Sequence, residues 1–129
     1  MLIAMVRGRR SQAFIAAVQN HELVVTKEAV REAERRIAFG MKAPQLIPAF
    51  YAAVEMMTVV VPNALAVSEA EIALRDAVAS RNGSVKDGHI LACAWAFDAD
   101  IWSHDRDFAG TGVASWSTAN LMRALAAEP

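Results

Sequence analysis

Asp87, Asp105 and Asp107 are the residues of this chain best placed to do chemistry. Asp87 opens an apolar run, Gly88 to Phe97, that reads as a helix, and Asp105 and Asp107 stand just past a short apolar strand, Ile101-Trp102. In open parallel sheets the loops beyond the carboxyl ends of the strands carry the ligands. That layout brings acids from distant positions to one edge of a sheet. Clustered carboxylates there suit Mg²⁺ or Mn²⁺, hard cations that take oxygen donors. A centre of that kind usually acts on phosphate esters.

Each acid also has a plain structural use. An Asp in a first helical turn is stabilised by the helix dipole by about 0.3–1 kcal/mol, and Asp is common in ordinary turns such as DRDF. Two residues apart on a loop, only one of Asp105 and Asp107 need point into a site. A further acid comes from the helix after Thr26, which holds Glu28, Glu32 and Glu34. Ala29, Val30, Ala33 and Ile37 form its apolar face, and Glu32 and Glu34 flank that face on opposite sides at about 100° per residue. Helical phase does not choose between them. Glu28, near the first turn, reads as an electrostatic helix starter. A zinc site would need three or four well-spaced ligands. His89 and His104 do not supply them, and Cys93 lies in the apolar run ILACAWAF as a buried structural thiol. His104 reads as an exposed loop residue, and Trp95, Trp102 and Trp116 read as core and rim packing.

The elements that must position these acids alternate short apolar strands with amphipathic helices, the pattern of an α/β domain with a parallel sheet. Helices are expected over Ser11 to Gln19, with Phe14, Ile15 and Val18 on one face, then from a Thr26 cap to Phe39 with Gly40 as the stop. More follow over Pro44 to Met56, over Ser68 to Ser80 behind a Ser68/Glu71 capping box, from a Ser84 cap through Phe97, and from Ser117 to Ala126. Strands are expected at Leu23 to Thr26, Thr58 to Val61, Ala99 to Ser103 and Val113 to Trp116, with an Asn82-Gly83 turn between helices. The run Met1 to Val6 is too short for periodicity to separate strand from helix.

The chain has 129 residues, 55% of them hydrophobic, and a net charge of −1. That suits one domain, residues 1–129, with one core. Apolar runs fall short of the roughly 18–20 residues that cross a bilayer. The start, MLIAMVRGRR, is apolar first and basic afterwards, the reverse of a signal peptide, so a cytoplasmic protein is expected. Two basic clusters, Arg7, Arg9 and Arg10, then Arg31, Arg35 and Arg36, could contact phosphates or simply be solvated helix faces.

Together, DGHILACAWAFDADIWSHDRDF and the following GVASWSTANL resemble the C-terminal half of a PIN domain, with an acid opening an Ala-rich helix, a strand leading into S-x-D-x-D-F, and a strand-helix carrying W-S-T. Upstream, VVTKEAVREAERRI resembles the family's strand followed by S/T-P-x-x-x-x-E, with Lys27 where Pro is common. The resemblance implies a PIN-like three-layer α/β/α fold with a short parallel sheet. It implies Glu32, Asp87 and Asp105 as ligands of Mg²⁺ or Mn²⁺, with Asp107 as an auxiliary. The activity implied is metal-dependent hydrolysis of RNA, as in the VapC-type toxins of toxin–antitoxin pairs. RNA as substrate, an antitoxin partner and a homodimer, but no membrane, follow as family expectations. One departure stands out: family members begin with a strand ending in Asp-x-Asn, whereas no acid precedes Glu22 here. The first strand is expected to be missing or replaced by residues 1–6. A catalytically impaired PIN-like module that binds RNA or a protein partner is the alternative.

Overall fold

Strands and helices alternate along the chain, and the protein is mixed α/β, mostly helical with short parallel strands, as the sequence pattern predicts. The computed structural model describes residues 11–76, 85–103, 108 and 110–127. The expectations for Met1 to Val6, for Arg7, Arg9 and Arg10, for the Asn82-Gly83 turn and for the Ser84 cap lie outside the described residues. The chain divides into two units, residues 1–60 with 122–129, and residues 61–121.

In the first unit, helix α1 (Ser11–Asn20) buries Phe14 and Ala17, with Val18 half-buried. Ile15, expected on that face, is 52% exposed. It lies about 100° round the helix from Phe14, on the side away from Ala17. Strand β1 (Val24–Thr26) runs directly into helix α2 (Lys27–Arg35), because Thr26 does two jobs. It ends the strand in an extended conformation, and its Oγ1 accepts a hydrogen bond from the Ala29 N–H at 3.1 Å. That bond satisfies one of the orphan donors of the helix start. Val30, Ala33 and Ile37 are buried, as their spacing predicts.

Beyond Arg35 the helix widens into a π turn over Arg36–Gly40, and the Met41 N–H reaches back to the Arg36 carbonyl at 2.7 Å. Lys42 then takes a positive φ of 52° and ends the element. The helix expected over 44–56 is two pieces, a 3₁₀ turn (Pro44–Leu46) and helix α3 (Ile47–Val54). Pro48 falls in the first turn of α3, where its missing N–H has no intrahelical partner to lose. Strand β2 (Thr58–Val60) pairs in parallel with β1 in the register Val24–Thr58, Val25–Val59 and Thr26–Val60. Thr58 and Val59 are exposed, although the sequence reads as a buried strand. Among the described strands β2 pairs only with β1. The unit's core joins Val30, Ala33 and Ile37 to Phe50 and Val54.

The second unit begins with helix α4 (Ala64–Arg75), capped by Asn63, whose Oδ1 accepts from the Leu65 and Ala66 N–H groups at 2.8 and 3.3 Å. The capping box expected at Ser68 is therefore interior helix. Asn63 follows the strand-ending Pro62 and captures the helix start first. One 3₁₀ turn (Val85–Asp87) leads into helix α5 (Gly88–Phe97), which ends on Asp98 in the left-handed conformation, φ 48°. Ala70 and Leu74 of α4 pack on Leu91, Ala92 and Ala94 of α5, and Ile101 and Phe108 complete the core. Strands β3 (Ile101–Trp102) and β4 (Ser115–Trp116) pair in parallel, shorter than expected but in the expected places. Helix α6 (Thr118–Ala127) follows β4, with the Ser117 Oγ accepting from the Asn120 N–H at 3.2 Å. Among the described residues, no helix is long and apolar enough to cross a membrane.

Candidate metal centre

Glu32 and Glu34 differ in what each side chain touches. Glu34 is half-buried, and its Oε2 accepts a hydrogen bond from the Tyr51 hydroxyl of α3 at 2.5 Å. That bond, some burial of the phenol and the carboxylate's negative charge all raise the Tyr51 pKa above its usual 10.0. Glu34 thus ties α2 to α3, with the Tyr51 ring edge-on to Phe50 at a centroid distance of 5.3 Å. Glu32 lies on the exposed face of α2.

Glu28 stands in the first turn of α2, as expected of an electrostatic helix starter, and it also lies beside Glu32. Its carboxylate and that of Glu32 bring oxygens to within 4.8 Å of one another. The i, i+4 spacing that puts them on one face was the signal that could have found the pair. Two oxygens sharing one Mg²⁺ at bond lengths of about 2.0–2.1 Å stand at most about 4.2 Å apart. A small rotation of either side chain satisfies that limit. Carboxylate oxygens are the donors a hard divalent cation takes, and exposed acidic pairs are also common without an ion.

Asp87 is half-buried and occupies the N-cap position of α5, yet its side chain makes no capping hydrogen bond. Its φ of −81° and ψ of 7° continue the preceding 3₁₀ turn instead of adopting the extended cap geometry that aims a side chain at the helix start. Its place at the helix start still lets the helix dipole stabilise its charge. The neighbouring glycine sets where Asp87 stands. A Cβ on Gly88 would lie 2.7 Å from the Glu71 Cγ, 3.1 Å from the Val67 carbonyl oxygen and 3.2 Å from the Glu71 nitrogen. Only a residue without a side chain lets α4 come so close to the tip of α5. His89, one residue further on, is 3% exposed.

Asp105, Asp107 and His104 lie outside the described residues, but the described residues that flank this segment are anchored. On its near side the Trp102 Nε1–H donates to the Thr118 Oγ1 at 3.0 Å, and the Ser103 N–H donates to the Trp116 carbonyl at 3.0 Å. On its far side Phe108 is 3% exposed, returned to the core as its sequence position suggests. The W-S-T pattern so has a mechanical meaning. Trp116 extends the sheet, Ser117 caps α6, and the buried Thr118 receives the indole of β3. Trp116 donates its own Nε1–H to Asp100 at 2.8 Å, while Trp95 is 40% exposed and belongs to the rim.

A cavity of about 300 Å³ lies at the opposite end of α5 from Asp87, between Trp95, Asp98 and Asp100 on one side and Thr111 to Ala114 on the other. Among the described residues, its lining includes neither Glu32 nor Asp87. Cys93 is buried, and burial pushes its thiol pKa up, which is the behaviour of a structural cysteine.

The family model of the PIN domain matches residues 1–126. No curated protein and no solved structure matches the chain.

Proposed function

The chain belongs to the PIN domain family, and on that premise we propose that it is a metal-dependent ribonuclease hydrolysing RNA phosphodiester bonds. PIN domains are generally nucleases and typically bind divalent metals, so the class of activity follows from the family. The finer reading rests on particular acids. Glu32, Asp87 and Asp105 hold Mg²⁺ or Mn²⁺, Asp107 assists, and Glu28 joins them beside Glu32. The observation that carries this most is the Glu28–Glu32 pair, two carboxylates within 4.8 Å of each other on an exposed helix face. It is supported by an Asp87 carboxylate that caps nothing.

A divalent ion bound by such acids lowers the pKa of a bound water and neutralises charge on the phosphoryl oxygens in the transition state. The chain's own acids supply hard oxygen donors and no nucleophile. Close packing at Gly88 fixes the helix tip that bears Asp87, and the Thr26 cap fixes the start of the helix that bears Glu32. Residues 1–129 act as one domain in this reading. The toxin form of it adds an antitoxin protein and a homodimer, for which Tyr51 and Met56, both exposed, offer apolar surface.

A second reading is favoured by the exposed Arg31, Arg35 and Arg36, which suit phosphate whether or not a metal is bound. It is a PIN-like module that binds RNA or a protein without cutting. Incubation of the purified chain with labelled single-stranded RNA separates the two. Cleavage in Mg²⁺ or Mn²⁺ that stops with a chelator is expected. RNA left intact with either metal at protein excess removes the nuclease reading, and retained RNA binding then selects the second.

A further inference from the structure

The exposed face of α2 carries more than acids. Opposite the buried row Val30, Ala33 and Ile37 stand Glu28, Glu32, Arg35 and Phe39, at i, i+4, i+7 and i+11, with Arg31 and Arg36 beside them. All six are exposed, and Phe39 shows 77% of its surface to solvent. The order along the helix changes character: a pair of acids, then a pair of arginines, then an aromatic ring. From Glu32 to Phe39 the helix rises roughly 10 Å. Arg36 and Phe39 lie in the π turn that ends the helix.

A large apolar ring left in water beside two guanidinium groups lacks a packing purpose but matches a nucleic-acid strand. Arginines take phosphate in bidentate fashion, and any unpaired base offers a face to an aromatic ring. Paired bases do not, because they are already stacked. The chain's net charge of −1 gives no general attraction for a polyanion, so the charge that counts must be local.

We propose that Arg35, Arg36 and Phe39 form a track for single-stranded RNA leading away from the Glu28–Glu32 pair, the arginines holding phosphate and Phe39 stacking one base. The track rests on the nuclease reading for its substrate, but it is a binding element and is testable without cleavage.

The test measures binding of a fluorescent single-stranded oligoribonucleotide by anisotropy in a chelator, over a series of salt concentrations. For the Arg35→Ala/Arg36→Ala double variant, the slope of log affinity against log salt should fall by about 1.4, as expected for two lost phosphate contacts on a single strand. Phe39→Ala should bind between about fivefold and 150-fold more weakly with the slope unchanged. Phe39→Trp should restore binding, which a merely structural role for the ring would not predict. Duplex RNA of the same sequence should bind more weakly than the single strand and be indifferent to Phe39. Unchanged binding in both alanine variants overturns the track, as does a wild-type chain that binds no RNA. Cleavage is scored separately. Metal-dependent cleavage with normal binding in the alanine variants sinks the track and leaves the nuclease. Variant-sensitive binding without cleavage sinks the nuclease and leaves the track.

Discussion

Helices α2 and α5 hold their acids in opposite ways. α2 buries one narrow row, Val30, Ala33 and Ile37, and turns its charged face to water, so Glu28 and Glu32 sit along its flank. α5 is buried through most of its length, from Gly88 and His89 through Leu91, Ala92, Cys93 and Ala94, and offers its acid only at the tip. A flank position is decided by helical phase and tolerates neighbours of several kinds. A tip position is decided by how closely the next element packs, which here means α4 against Gly88. Carboxylates on a flank can be added or lost at little cost to the fold, whereas the one at the tip depends on a contact that leaves no room for a methyl group.

The largest difference should come from activity. Asp87→Asn and Glu32→Gln should each lower metal-dependent RNA cleavage by at least about a hundredfold, more than the 10–100-fold typical of residues that only support a ligand. If one variant retains full cleavage, that helix drops out of the centre. Next comes Gly88→Ala, which forces a Cβ to 2.7 Å from the Glu71 Cγ and near α4 backbone. Overpacking of this kind costs about 1–3 kcal/mol, read as a lower urea midpoint. An unchanged midpoint would show that α4 and α5 separate freely. On the flank the effect on stability nearly vanishes. Glu32→Gln removes a like-charged i, i+4 neighbour of Glu28 and an oppositely charged i, i+4 neighbour of Arg36, each worth about 0.2–0.5 kcal/mol, so the urea midpoint should barely move even as cleavage falls. A destabilised Glu32→Gln would contradict a purely functional role for that face.

The smallest effect concerns the other acid of α2. The Glu34 hydrogen bond, partial burial and charge raise the pKa of Tyr51, the single tyrosine of the chain. A folded pKa raised above the unfolded value contributes stability that is present below about pH 10 and lost as pH rises through the folded value. Glu34→Gln should therefore shift the ultraviolet phenolate titration towards lower pH. An identical curve would mean that the hydroxyl does not depend on Glu34.

Much of the candidate site was legible in the order of residues. The Thr26 cap, the buried row of α2, the Asp87 position before an apolar helix and the return of Phe108 to the core all follow from local rules of capping, periodicity and burial. The misplaced boundaries share one cause. Ser68/Glu71 and the helix over 44–56 satisfied a local pattern, but Asn63 and Pro48 imposed stronger local chemistry nearby. Ile15 and Val59 read as buried because apolar residues usually are, and no pattern in the sequence told which face would stay open.

By itself the sequence determined the class and the family signature and named the candidate acids, because these depend on residue type and on spacing along a single element. Tertiary structure decided the rest. Glu34 became a brace because α3 put Tyr51 against it, Glu32 and Glu28 stayed in solvent, and Gly88 was needed because α4 lies where a side chain would have to go. Those outcomes turn on distances between elements far apart in the chain, and no helical or strand period encodes such a distance.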